Sequence, residues 1–173
     1  MGAPWFKLQA DARRYGIVAF SSNYALYADM SNRVAEVLAD YSPNVEVYSI
    51  DESFLDFSGF ARWGYHAYGV EIRQRVADWL GLAVCVGVGP TKTLAKLANH
   101  CAKKALAGTD GVCDFTVLNE DELTALFDRS AVGEVWGVGR KLSAGLEDMG
   151  IQNVRQLREC DARTLRNRFS VVL

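Results

Sequence analysis

Asp51 and Glu52 are adjacent carboxylates in the run Tyr48-Ser49-Ile50-Asp51-Glu52-Ser53-Phe54-Leu55-Asp56-Phe57. Their flanks, Val45-Glu46-Val47-Tyr48 and Phe54-Leu55-Asp56-Phe57, are rich in β-branched and aromatic residues and read as two short strands. Neighbouring residues on a strand point to opposite faces, so two adjacent carboxylates converge on one point only near a turn. An Asp-Glu pair at a hairpin turn above a buried sheet suits hard divalent cations and phosphoryl chemistry. An ordinary solvated acidic turn has the same composition, so the pair alone does not decide between the two.

A second group of candidates follows the apolar run Leu82 to Val88, which reads as a buried strand. Gly89-Pro90 breaks that run and Thr91 is placed to cap a helix from about Lys92 to Ala105. At roughly 100° per residue, Lys92, Lys96, Asn99 and Lys103 share one sector, while Leu94, Leu97, Ala98, Cys101 and Ala105 share the opposite one. A cationic stripe facing outward is expected, either simply solvated or, if the strand lies beside the acidic hairpin, suited to a nucleotide triphosphate.

The third group is Trp136-Gly137-Val138-Gly139-Arg140-Lys141, with Ser143 and Leu146 at the spacing of a helix-hairpin-helix. Glycines let a backbone approach closely, and the free amides of a helix N-terminus suit a phosphate oxygen. Arg140 and Lys141 add cationic reach, and such a turn holds nucleic-acid backbone without reading sequence. The competing account is a capping glycine in a plain helix-helix turn. Arg155, Arg158, Arg163, Arg166 and Arg168 make the following segment locally basic.

These residues need a scaffold, and the rest of the chain supplies one. A helix is expected over Pro4 to Tyr15, stopped at Gly16, then a short strand at Ile17 to Phe20. A long helix to about Tyr41 is capped within Ser21-Ser22-Asn23, with Leu26, Met30, Val34 and Leu38 on one apolar face. Another helix, about Tyr65 to Leu80, turns Ile72, Val76 and Leu80 inward. Helices packed on one sheet make an α/β or α+β fold.

Composition narrows the class. The 173 residues are 50% apolar and 23% charged with a net charge of −2, so a basic surface can only be local. Cys85, Cys101, Cys113 and Cys160 lie far apart with only His66 and His100 beside them, which argues against zinc and for free thiols in a reducing compartment. His66 reads as a surface or packing residue. No apolar run reaches the 18 or so residues of a membrane-spanning helix, and the start lacks a secretory signal, so a cytoplasmic protein is expected.

Together, Tyr48 to Phe54, Gly87-Val88-Gly89-Pro90-Thr91-Lys92-Thr93-Leu94-Ala95-Lys96-Leu97-Ala98-Asn99 and Trp136 to Arg140 resemble the Y-family translesion DNA polymerases. Phe20-Ser21-Ser22-Asn23-Tyr24 and Tyr27-Ala28-Asp29-Met30-Ser31 make the UmuC type, the catalytic subunit of DNA polymerase V, the nearest likeness. The resemblance implies an incomplete ferredoxin-like palm over 17–115 after the end of a fingers segment at 1–16. A small helical thumb with the helix-hairpin-helix follows over 116–173. It implies that Asp51 bridges two Mg2+ ions, that Glu52 binds the ion activating the primer hydroxyl, and that Lys103 contacts the triphosphate. Gly137, Val138, Gly139, Arg140 and Lys141 would hold DNA. Primer-template DNA, a deoxynucleoside triphosphate, a UmuD-type partner and a sliding clamp are the implied partners, and the damage-induced SOS response the setting.

The family's first metal-binding aspartate, its steric gate and most of its fingers have no match upstream of Asp51, and the little finger none downstream. The expectation is therefore a chain inactive by itself, with the family's first strand fitting between the Leu82–Val88 strand and the acidic hairpin. Two other classes compete. A diguanylate-type nucleotidyl cyclase also carries acids on a palm-like hairpin, but its glycine-glycine turn is absent. A non-catalytic DNA-binding remnant would use only residues from about 130 onward.

Overall fold

The computed structural model describes residues 3–169; the outermost residues of the expected first and last segments, 1–2 and 170–173, lie outside them. Helix α1, Trp5–Tyr15, ends where expected, because Gly16 takes φ +68° and returns its amide to Ala12. Ile17 to Phe20 is not a strand. Ile17, Val18 and Phe20 are exposed and find no pairing partner among the described residues, so their β-propensity has nothing to act on.

Helix α2, Tyr24–Ala39, starts at Asn23, whose side chain accepts the Leu26 amide at 3.1 Å. Only the later half of its apolar stripe is covered: Val37 and Leu38 are buried, whereas Leu26 and Tyr27 are exposed. Strands β1, Val45–Ser49, and β2, Glu52–Leu55, form the anticipated antiparallel hairpin. Its register shifts between Val47 and Ser49, leaving Tyr48 as the extra residue. Such a bulge re-aims one side chain, here the tyrosine just before the acidic turn.

Helix α3, Tyr65–Leu80, follows a 3-10 turn at Ala61–Trp63 and buries Ile72 and Val76 against Val37, Leu38 and Tyr41. His66 at its start meets Asp110 at 2.8 Å, and Arg73 donates to the carbonyls of Val84 and Asp110. The expected strand from Leu82 is shorter: β3 is only Val86–Val88, paired in parallel with β4, Val112–Asp114, which the sequence reading did not anticipate. Leu82 and Val84 instead pack on the α2/α3 core.

Helix α4, Lys92–Lys103, begins at Thr91, whose hydroxyl accepts the Leu94 amide. It buries Leu97, Ala98, Cys101 and Ala102 against Cys113 and Phe115. Helix α5, Glu120–Arg129, and helix α7, Val154–Glu159, each start with a reciprocal capping box, Asn119 with Glu122 and Asn153 with Gln156. Leu126, Phe127 and Val154 join the α4 core. Helices α6, Arg140–Asp148, and α8, Ala162–Phe169, enclose a third cluster around Val132, Leu146 and Ile151. The result is an α+β fold with two two-stranded sheets, β1-β2 and β3-β4, that share no ladder among the described residues. All four cysteines are free thiols.

Candidate metal-binding hairpin and nucleic-acid interface

Asp51 sits in the β1-β2 turn, exposed, with Oδ1 accepting from the Ser49 hydroxyl at 2.8 Å. Glu52 opens β2, and its two carboxylate oxygens accept from Lys96 Nζ at 3.0 and 2.8 Å. One turn earlier on α4, Lys92 pairs with Glu46 of β1. The lysine stripe therefore does not simply face solvent: of the two readings open for it, Lys92 and Lys96 take the one beside the acidic hairpin. Its first two members lie on the hairpin because β1 and β2 carry the carboxylates that neutralise them.

The remaining two members go elsewhere. Asn99 donates from Nδ2 to the Cys85 carbonyl at 2.7 Å and ties the segment before β3 to α4. Lys103 is the last residue of α4 and exposed. It stands roughly 10 Å beyond Lys96 at about 1.5 Å of rise per residue, so the structure does not bring it to Asp51 and Glu52.

The pair offers hard oxygen donors, as Mg2+ requires. The Lys96 ammonium already rests on Glu52, so a metal ion binding there has to displace it. Among the described residues no third His, Cys, Asp or Glu joins a metal-binding group. Asp51 and Glu52 thus fit part of a coordination shell, with other oxygen donors needed to complete it.

The glycine turn is built on two cores. Val135 packs against the α4 cluster and Val138 against the Val132–Leu146–Ile151 cluster. Between them Gly137 takes φ +96°, a conformation L side chains rarely adopt. Gly139 has an ordinary extended backbone, φ −79° and ψ 173°, and is the N-cap of α6 without a side chain to cap it. The amides of Arg140, Lys141 and Leu142 consequently have no acceptor among the described residues, and the first helical bond runs from the Ser143 amide to Gly139. The Arg140 and Lys141 side chains are exposed beside them.

Two expectations about this region change. The element before the turn is a single 3-10 turn, Val132–Glu134, rather than an α-helix. Gly133 lies so close to α6 that a Cβ there would meet Ser143 Oγ at 2.9 Å. The basic density after the turn is also partly spent internally. Arg155 pairs with Asp128 and Glu159, and Arg158 with Glu120. Arg163, Arg166 and Arg168 remain exposed on α8.

Sequence reasoning missed the contact between hairpin and turn. Trp136 donates from Nε1 to the Tyr48 hydroxyl at 3.2 Å, and its ring meets the Tyr48 and Phe54 rings at 5.3 and 5.8 Å. Lys96 Nζ lies 4.9 Å from the centre of Tyr48 and 5.3 Å from that of Trp136. A tyrosine just before the acidic turn and an indole in a glycine turn are the only local signals, and neither names the other.

A model of the impB/mucB/samB family matches residues 1–100. Protein UmuC of Salmonella typhimurium is 47% identical over 173 residues, 99% of this chain and 40% of its own length. MucB of Escherichia coli is 43% identical, over 100% of this chain and 41% of its own length. A DNA polymerase IV of Moorella thermoacetica is 32% identical over 85% of this chain. The chain thus spans about two-fifths of the length of its UmuC and MucB relatives, 40% and 41%. Among solved structures, an insertion ternary complex of Dbh DNA polymerase superposes with a TM-score of 0.72 at 26% identity, covering 96% of this chain and 46% of its own. DinB from Sulfolobus solfataricus gives 0.72 at 25% identity. With more than half of its residues under the family model and nearly all of them aligned to UmuC, the chain belongs to the impB/mucB/samB family, the UmuC-type group of Y-family polymerases that its motifs resemble.

Proposed function

We propose that this chain forms the metal-holding and duplex-holding part of a translesion DNA polymerase, with palm over 17–115, thumb over 116–173 and the end of the fingers over 1–16. One observation carries the reading: the Asp51–Glu52 turn and the Gly137–Gly139 turn meet through Tyr48 and Trp136, so a cation and a duplex end would be held side by side.

In that role Asp51 and Glu52 hold Mg2+, which when bound stabilises the charge that develops on the reacting phosphate. Lys96 holds the Glu52 carboxylate in place before the cation arrives. The amides of Arg140, Lys141 and Leu142, with the two cationic side chains, hold phosphates of the primer-template duplex. Lys103 would reach the triphosphate only with the nucleotide extending along α4. A deoxynucleoside triphosphate, a UmuD-type partner, a sliding clamp and a cytoplasmic SOS setting belong to the whole protein by its family. No helix among the described residues is long and apolar enough to cross a membrane.

Two carboxylates are too few for two ions, so this chain should not extend a primer without a further carboxylate. Fluorescence anisotropy on two unrelated duplexes tests the holding role directly. Weak, sequence-independent binding that falls steeply with salt is expected, as is Mn2+ binding that Asp51→Asn with Glu52→Gln removes. Salt-insensitive or sequence-selective binding would overturn the duplex role. Primer extension by the bare chain at the rate of an intact relative would overturn the assignment of an incomplete site. The Lys96–Glu52 and Trp136–Tyr48 contacts favour this reading over a purely DNA-binding role confined to residues from about 130 onward.

A further inference from the structure

We propose that Trp136 is a positioning residue: a latch through which a duplex held at the Gly137–Gly139 turn restrains the tip of the Asp51–Glu52 hairpin. The inference rests on the duplex-holding role argued above and adds a coupling between its two halves.

The latch is built from both sides. Val135 and Val138, the residues flanking the Trp136-Gly137 step, are seated in two different cores, so the base of the turn is fixed while Trp136 projects from it. The indole is 37% exposed and Tyr48 is 45% exposed, so this contact lies at the protein surface rather than in a core and can open without unfolding. Trp136 meets the hairpin on both strands, Tyr48 just before the acidic turn and Phe54 just after it. Restraining both rings restrains the turn between them.

Lys96 makes the coupling chemical as well as mechanical. Its ammonium donates to Glu52 and lies over the faces of Tyr48 and Trp136 at once. When Glu52 turns toward a cation, the two aromatic faces still offer the ammonium a favourable place. A displaced Trp136 removes one of them. A second tie, His100 Nδ1 to Glu134 Oε2 at 3.1 Å, joins α4 to the 3-10 turn just before Trp136 and limits how far the two elements can part.

Hydrogen exchange read by mass spectrometry tests the latch on the full chain, with and without a short mixed-sequence duplex. In the unchanged chain the duplex should slow exchange in the hairpin peptide, residues 45–55, by about fivefold or more, the low end of usual coupling between sites. In Trp136→Ala and Trp136→Phe the duplex should still bind by anisotropy, while the hairpin protection falls, most in the alanine variant. Tyr48→Phe, which removes the acceptor of the indole N–H and touches no DNA-holding residue, should weaken the protection in the same direction. The α3 peptide, residues 65–80, serves as the internal control and should not change. Duplex binding with undiminished hairpin protection in all three variants would overturn the latch and leave the proposed function standing. Failure of the unchanged chain to bind duplex would overturn the proposed function, and the latch with it.

Discussion

Lys96 and Glu52, separated by 44 residues of chain, form a two-point ion pair, with one ammonium donating to both carboxylate oxygens at 3.0 and 2.8 Å. The lysine side chain is 23% exposed and the glutamate 46%, so solvent screens the pair only in part. Its ammonium stands where a divalent cation on Glu52 would repel it. Lys96 thus orients the carboxylate and also competes with the metal.

Replacing Lys96 with methionine keeps the packing of its stem and removes that competition. Mn2+ affinity of the chain should rise about fivefold, as befits a partly screened pair worth on the order of 1 kcal/mol. Titration followed by the electron paramagnetic resonance of free Mn2+ measures it. Unchanged or weaker binding would show that the ammonium does not occupy the cation's place.

The two glycines of the turn should behave differently. At Gly137, φ +96° makes alanine strained although no neighbouring atom is near. Gly137→Ala should cost roughly 1–3 kcal/mol of local backbone strain and weaken duplex binding. Gly139→Ala meets open space at an ordinary φ and should bind nearly as the unchanged chain does. Arg140→Ala and Lys141→Ala should each lower the salt slope of binding by about one. Equal losses in both glycine variants would place the requirement in close approach to phosphate rather than in backbone conformation.

The sequence revealed much of this site and hid its assembly. Adjacent acids between strand-forming flanks located the hairpin, and the 3.6-residue period located α3 and α4. Local chemistry also placed the caps, since Asn23 and Thr91 act within three residues of the amides they accept. The β3-β4 pair escaped because Val112–Asp114 is three residues long, too short for a period, and its partner lies across α4. Ile17 to Phe20 misled for the complementary reason, as strand propensity counts only where a ladder is available. Lys96 was legible as part of a stripe but its direction was not, because a helical wheel gives a sector and tertiary packing decides what that sector faces. The Tyr48–Trp136 contact spans 88 residues and has no local signature beyond two aromatic residues in separate motifs.

Acid should loosen the junction between α3 and β4. The Val112 amide, first, and then His66 hold the Asp110 carboxyl below its ordinary value of 3.8. A carboxyl lowered on folding stabilises the native state above its unfolded pKa, and that contribution disappears as pH falls through the folded value. The Asp110 contribution should therefore be complete well above 3.8 and fade progressively as pH falls below that value toward the lowered folded one. Asp110→Asn should lower stability near neutral pH and flatten the acid limb of a denaturation series. An acid limb identical to that of the unchanged chain would mean that the junction is held without this carboxylate.

Gly87 is the position least able to change. Strand β3 lies so close to α4 that a Cβ at Gly87 would fall 2.0 Å from the Asn99 amide nitrogen and 2.3 Å from the Ala95 carbonyl oxygen. Both obstacles are backbone, so no side-chain rotation relieves them, and overpacking of this kind costs roughly 1–3 kcal/mol or more. The same helix carries Lys92 and Lys96 onto the hairpin, so pushing it from β3 displaces both lysines at once. Gly87→Ala should lower the thermal midpoint by several degrees and, in whatever folded population remains, alter Mn2+ binding in the direction of Lys96→Met. Gly81→Ala provides the comparison: its φ of +68° makes it strained as well, but a Cβ there meets nothing within 4 Å. It should destabilise the end of α3 and leave Mn2+ affinity alone. If both variants melt early and neither changes Mn2+ binding, then the strand-to-helix contact supports the fold without setting the position of the lysines.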